Sequence, residues 1–267
     1  MQAEIGIIGG SGFYSLMEKS EAADISTEYG KPSSAPALGM IGGKSVAFIS
    51  RHGKGHTIPP HKVPYRANIA ALAGLGAKRI IATSTVGSLR EEYAPGDFVL
   101  FDQFVNMTNG RQDTFYDKDV VAHVSMAEPY CGEMRSIASK LLKEMNVKYH
   151  DRGTAVVING PRFSSKAESR FFSSQGFETI NMTQYPEAAL AREKSLCYLG
   201  IGIVTDYDSG LEGNDKIAAV TTQDVLRVFG ENVEKAKSVV RELVRRVDSG
   251  KRQCECSKSL DGAIVTH

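Results

Sequence analysis

The chain has 267 residues, with 32 Lys and Arg against 31 Asp and Glu, a net charge of +1, and 42% hydrophobic residues. A chain this long buries a large core without a metal or disulfide staple, and its near-neutral charge excludes a strong non-specific polyanion binder. No apolar stretch approaches the ~18 residues of a membrane helix, and Met1-Gln2-Ala3-Glu4 lacks the basic start and apolar core of a secretory signal. The expectation is a cytoplasmic protein with no membrane and no nucleic-acid partner.

In chain order, Glu4–Ile8 is a short apolar strand that runs into Gly9-Gly10-Ser11-Gly12. Val46–Ser50 is a strand ending at Arg51-His52-Gly53, and Tyr65–Leu75 is a helix with Ile69, Leu72 and Leu75 on one face. Ile80–Ser84 is a strand ending in Thr83-Ser84-Thr85, Phe98–Val105 is strand-like, and Cys131–Met145 is an amphipathic helix. Thr154–Ile158 is a strand that stops at Asn159-Gly160-Pro161, followed by a helix over Ser165–Ser174 capped by Ser164 or Ser165. Thr179–Met182 is a strand ending at Thr183, Glu187–Lys194 a helix, and Leu196–Thr205 a β-rich run ending at Asp206-Tyr207-Asp208. The last helix is the clearest: Val225, Phe229, Val233, Ala236, Val240, Leu243 and Val247 recur at spacings of three and four, with Asp224 near its start. Such alternation predicts one α/β domain over residues 1–267, with a tail from about 250 and a largely parallel sheet. In such folds ligands bind at the carboxyl ends of strands, and polar residues recur there.

Gly9-Gly10-Ser11-Gly12 offers backbone N–H groups and a hydroxyl to an oxyanion, or forms a plain tight turn. Arg51 carries a donor fork suited to phosphate oxygens, and His52, Ser84, Thr85 and Thr183 add donors; the alternative is that Arg51 pairs with a carboxylate and the hydroxyls cap helices. His52, His56 and His61 do not form a metal site on a regular helix, because Gly53, Gly55, Pro59 and Pro60 interrupt the segment. Asp206 and Asp208, two apart on an extended segment, point to one side; mutual repulsion raises one pKa and makes that group an acid, unless the pair is a solvated turn. Phe163 and Met182 read as core residues, or as contacts to a base or sugar face. Cys131, Cys197, Cys254 and Cys256 read as reduced thiols, with disulfides the alternative. Cys254-Glu255-Cys256 has no second close Cys or His pair, so a closed tetrahedral zinc site is not expected.

Together, IGIIGGSG (5–12), SRHGKGHTIPP (50–60), HKVPYRANIAA (61–71), VGSLR (86–90), PGDFVLFDQ (95–103), GPRFSSKAES (160–169), NMTQYPE (181–187) and VTDYD (204–208) resemble the 5′-methylthioadenosine phosphorylases of the purine nucleoside phosphorylase superfamily. The resemblance spans residue 4 to about 260. It implies a mixed, partly barrel-like central sheet flanked by helices, assembly into a homotrimer or a dimer of trimers, no metal or organic cofactor, and inorganic phosphate as co-substrate. The reaction implied is phosphorolysis of methylthioadenosine to adenine and 5-methylthioribose 1-phosphate. Ser11, Arg51, His52, Ser84, Thr85 and Thr183 match the phosphate positions. Met182 matches a ribose contact, and Phe163 and Ser164 match base-site positions, Ser164 being placed with Asp206 and Asp208 in the catalytic set. Asp206 and Asp208 match the adenine-reading pair, with Asp206 the candidate acid. His123 matches a residue donated across a subunit boundary toward the 5′ group, Val225 lines the methylthio pocket, and His56 and Thr222 join the substrate-binding candidates.

The sequence departs from the family pattern at Asn159, where Glu is usual, at Thr222, where an apolar residue is common, and at Ser209-Gly210 after the second Asp. The hydroxyl of Thr222 points to tolerance of a 5′-OH and hence of adenosine. The Cys-x-Cys at 254–256 resembles that of archaeal heat-stable relatives, in some of which the positions of Cys131 and Cys197 are disulfide-bonded. Rival readings are a 6-oxopurine phosphorylase, for which Asn is expected at position 206, a nucleosidase that needs no anion pocket, and a non-catalytic nucleoside-binding module.

Overall fold

The computed structural model describes residues 2–265 apart from 14, 18, 212–216 and 249, and only the backbone at Ser11. The elements are β1 (Ile5–Gly9), β2 (Ser20–Ala22), β3 (Ala37–Ile41), β4 (Lys44–Ser50), α1 (Tyr65–Gly74), β5 (Arg79–Ser88), β6 (Phe98–Leu100), β7 (Gln103–Met107), β8 (Val121–Ala122), α2 (Gly132–Glu144), β9 (Tyr149–His150), β10 (Thr154–Ile158), α3 (Lys166–Ser174), β11 (Thr179–Asn181), α4 (Gln184–Glu193), β12 (Cys197–Asp206), α5 (Thr222–Arg246) and β13 (Ile264–Val265). Every residue of β1 is buried, as befits an apolar run inside a sheet covered on both faces.

The central sheet is mixed and branches at β5. One path runs β2-β3-β4-β1-β5-β11-β10-β7; the other leaves β5 through β12, β6 and β9. β1 pairs in parallel with the first residues of β5, from Ile5 opposite Arg79 to Ile8 opposite Ala82. β11 meets the far end of the same edge antiparallel, with Ile180 opposite Gly87. Between them, residues 83–86 have no strand on that edge. Their carbonyls are taken by side chains: Arg51 donates to Thr83 O at 2.8 Å and Asn181 to Thr85 O at 3.1 Å. The other edge of β5 pairs with β12 along its length, with a register shift between Val204 and Asp206.

Helices cover both faces. Ile7 and Ile81 pack with Met134 and Leu141 of α2 and Val240 and Leu243 of α5, while Ile8 and Ile80 pack with Ile69 and Leu72 of α1 and Leu190 of α4. That division follows the two-residue alternation of a strand. Ser165 caps α3 by a reciprocal box with Glu168. Among the described residues, no helix is long and apolar enough to cross a membrane.

Several elements differ from the sequence reading. The sheet is mixed, as the resemblance implies, and not largely parallel as the strand–helix alternation suggests, because β3, β6 and β11 run antiparallel to a neighbour. Phe98–Val105 is two strands: Phe101 N donates to Gly200 O, Asp102 Oδ1 accepts from Gly153 N, and the chain crosses from one sheet branch to the other. β5 continues to Ser88, so Ser84 and Thr85 lie within the strand instead of at its end.

Candidate active site

A cavity of about 530 Å³ opens beside the unpaired stretch of β5, a size suited to a small organic ligand. Its lining includes Arg51, His52, His56, Ser84, Thr85, Phe163, Met182, Thr183, Asp206, Asp208, Thr222 and Val225. These sequence-expected residues come from six separated segments. Ser164 and His123 do not line it, and the side chain of Ser11 lies outside the described residues; Gly10 beside it is in the wall.

The donor side is built from β4, β5 and β11. Arg51 is fully buried, and its fork grips Glu187 through two bonds of 2.8 and 2.7 Å. Tyr198 Oη adds a third donor to that carboxylate at 2.7 Å. The carboxylate partner is therefore present, although Arg51 still borders the cavity. Burial opposes the Arg51 charge, but attraction and hydrogen bonding to Glu187 more than offset it and raise its pKa. His52 Nδ1 lies 2.9 Å from Ile58 O. A carbonyl only accepts, so Nδ1 carries the proton and Nε2 is left as an acceptor. Burial, then the neighbouring Arg51 charge, pushes the His52 pKa down to about 4, so the ring is neutral at pH 7. His56, at φ 58°, stacks on it with ring centres 4.4 Å apart.

Ser84 Oγ accepts from Gln184 Nε2 at 3.3 Å, which leaves its own O–H to donate. Asn181, which sequence reasoning missed, organises the turn after β11. Its Oδ1 accepts from Thr183 N at 2.6 Å and Gln184 N at 2.7 Å, and more weakly from the Thr183 hydroxyl at 3.3 Å. The NMTQ run carried that signal, since Asn readily bonds to backbone two and three residues on.

The acidic side comes from the end of β12. The register shift leaves Thr205 as an extra residue, so Asp206 falls opposite Gly87. A Cβ on Gly87 would sit 2.9 Å from Asp206 Oδ1 and 2.8 Å from Ile180, so only glycine fits there. Asp206 accepts from Thr205 Oγ1 at 2.7 Å and from Asp208 N at 2.8 Å. The segment is not extended as expected: Asp208 has φ 50° and turns back on Asp206. Burial raises the Asp206 pKa to about 6, and the Asp208 charge adds only a lesser push. Burial also raises Asp208, whose Oδ2 is buried without a hydrogen-bond partner. Thr83 Oγ1, another buried atom of the lining, is likewise unpartnered. Ser164 lies behind the lining, where its carbonyl accepts from Ser209 Oγ and its own Oγ is unpaired.

The apolar wall is formed by Phe163, Met182 and the first turns of α5. Phe163 is 37% exposed, so it is not a core residue. Thr222, Val225 and Phe229 of α5 face the cavity, whereas Ala236, Val240 and Leu243 of the same stripe are buried in the core. Asn159 accepts from Arg111 Nε at 3.3 Å, and Arg111 also donates to Met182 O at 2.9 Å. Asn159 thus helps position the Met182 segment as a neutral partner. His123 is exposed, with its N–H bonded to Ala263 O next to the β8–β13 pair.

A cavity with hydroxyl donors at one set of residues, a buried acid at another and an apolar wall is that of an enzyme acting on a small molecule with polar and apolar parts. Comparison with known proteins gives the family. A sequence model of the phosphorylase superfamily matches residues 4–245. The S-methyl-5′-thioadenosine phosphorylase of Thermofilum pendens is 49% identical over 266 residues, covering 99% of each chain. The purine nucleoside phosphorylase of Streptomyces coelicolor is 43% identical, over 98% of this chain and 96% of its own. The crystal structure of a methylthioadenosine phosphorylase sourced from an antarctic soil metagenomic library superposes with a TM-score of 0.92 at 39% identity, covering 100% of this chain and 93% of that one. The chain belongs to the phosphorylase superfamily, and its class is that of the pentosyltransferases.

Proposed function

We propose that this enzyme splits 5′-methylthioadenosine with inorganic phosphate, giving adenine and 5-methylthioribose 1-phosphate. The observation that carries the reading is the meeting, in one cavity, of the Asp206–Asp208 pair with the hydroxyl and imidazole groups of Ser84, Thr85, Thr183 and His52. Breaking the N-glycosidic bond builds positive charge on the sugar and negative charge on the purine. Phosphate held by the donor set stabilises the first and then attacks the anomeric carbon. Neutral His52 offers Nε2 to the P–O–H of hydrogenphosphate. Asp206, with a pKa of about 6, is protonated often enough near neutral pH to give a proton to the leaving ring nitrogen. General acid help of this kind is worth about 10²–10⁴-fold.

The same pair reads the base. A protonated carboxyl donates to the ring nitrogen, and the Asp208 carboxylate accepts from a 6-amino group. A 6-oxo purine presents an acceptor to that acceptor, which leaves a buried polar atom unpaired at about 1–3 kcal/mol. Met182 is assigned to the ribose, Phe163 to the base, and Thr222, Val225 and His56 to the 5′ side. His123 reaches a site only if a partner subunit supplies it. The exposed Val120, Val121, Ile264 and Val265 around it support a homo-oligomeric contact there, as a trimer or dimer of trimers would make. The acid and the phosphate suffice for this chemistry, so no cofactor is assigned to it.

The test compares methylthioadenosine with inosine, both with phosphate. Adenine should form with the higher kcat/KM. Dominant hypoxanthine release from inosine would keep the phosphorolytic chemistry and overturn the base assignment.

A further inference from the structure

Cys131 immediately precedes α2, Cys197 opens β12, and Cys254 and Cys256 lie in the C-terminal tail, yet their four Sγ atoms all lie within 4.8 Å of one another. Cys131, Cys197 and Cys256 are buried and Cys254 half-buried. All four are free thiols, the Cys197 and Cys254 sulfurs being 3.3 Å apart. The ground for setting zinc aside, the lack of a second close pair, therefore fails: the second pair is Cys131 with Cys197, close in space and far apart in sequence.

We propose that these four cysteines form a closed tetrathiolate site for one thiophilic divalent ion, zinc, which fastens the C-terminal tail to the core. A tetrahedral ion with Zn–S bonds of about 2.3 Å needs sulfurs about 3.8 Å apart, which is the spacing scale of this cluster. An ordinary buried thiol needs no such convergence, and here four sulfurs from three separate segments meet without a bond between them. On binding, each thiol releases its proton as its Zn–S bond forms, four bonds for four protons, and no electron is transferred. The filled site would carry two net negative charges. The buried Arg79 guanidinium, 3.8 Å from Cys197 Sγ, faces them while it also pairs with Glu133 at 2.9 Å, and the N-terminus of α2 follows Cys131. Arg79 also donates to Lys251 O at 2.7 Å, so the same side chain orders the tail that brings in Cys254 and Cys256. Four protein ligands leave no open position, which marks a structural and not a catalytic ion. Its place agrees: Cys197 and Asp206 are opposite ends of β12, so at about 3.3 Å per residue the cluster lies about 30 Å from the catalytic acid.

The test is elemental analysis for zinc and iron on full-length protein purified anaerobically with reductant, beside the Cys254→Ser/Cys256→Ser double variant. One metal ion per chain is expected in the wild type and none in the variant. Chelation should lower the wild-type Tm without changing kcat/KM measured well below it, and should leave the variant's Tm where it was. If the variant does not fold, titrating metal-free wild type with Co(II) answers instead, by the strong visible absorption of tetrahedral thiolate coordination. A folded, reduced wild type that takes up neither zinc nor cobalt overturns the proposal. So does metal retained by the variant, or an anaerobically prepared chain whose mass is short by the four hydrogens of two disulfides.

Discussion

Replacing Asp206 by Asn separates the two properties assigned to that carboxyl. The folded-state pKa of about 6, against an ordinary 3.8, means that burial disfavours the ionised form. At 1.36 kcal/mol per pH unit the difference amounts to about 3 kcal/mol. Because the folded state binds this proton more tightly than the unfolded chain, wild-type stability falls as pH rises from about 4 to 6. Above pH 6 the full penalty is present; below pH 4 both states are protonated and there is none. Asn keeps an acceptor for Asp208 N and carries no charge. Thr205 Oγ1, also 3.3 Å from Val86 O, can turn its hydroxyl to that carbonyl and accept from the amide. Asp206→Asn should therefore match the wild type near pH 4 and gain up to about 3 kcal/mol by pH 7.5, while its phosphorolysis of methylthioadenosine drops about 10²-fold or more. Urea unfolding at several pH values, beside initial rates, measures both. A stability difference that does not vary with pH, or a variant less stable at pH 7.5, would refute the buried-acid assignment; unchanged activity would refute the acid role.

Glu187→Gln should cost about 3–5 kcal/mol in urea unfolding, because it leaves the buried Arg51 charge without its counter-ion; a loss under 1 kcal/mol would mean that Arg51 is balanced elsewhere. Asn181→Ala should raise the KM for phosphate about tenfold and move the nucleoside KM much less, since Asn181 holds the Thr183 turn; equal changes in both would remove its assignment to the phosphate side. Thr222→Val should lower kcat/KM for adenosine about tenfold relative to methylthioadenosine, by loss of one hydrogen bond to a 5′-OH; an unchanged ratio would place that hydroxyl away from the 5′ group.

The parts of the fold legible in the sequence are those whose cause is local. α5 follows from apolar spacing and the α3 start from a serine cap, Ser165 of the two candidates, and β10 has the expected limits, Thr154–Ile158. β2 escaped because Ser20-Glu21-Ala22 is exposed throughout and shows no alternation. The end of β5 was misplaced because Thr83-Ser84-Thr85 looks like a polar stop. Those residues in fact continue the strand where one edge passes from β1 to β11, and Arg51 and Asn181 take over the hydrogen bonding. Most candidate site residues were legible through short motifs, and their convergence was not. The Arg51–Glu187 clamp, the Asp208 turn and the four-cysteine cluster depend on contacts between distant segments or on a left-handed residue that composition does not announce.

The most direct measurement is chromatography of the products from methylthioadenosine with and without phosphate. Adenine together with 5-methylthioribose 1-phosphate, formed only when phosphate is present, is the expected result. Adenine released equally without phosphate would make water the nucleophile, and the anion-binding role of His52, Ser84, Thr85 and Thr183 would have to be abandoned.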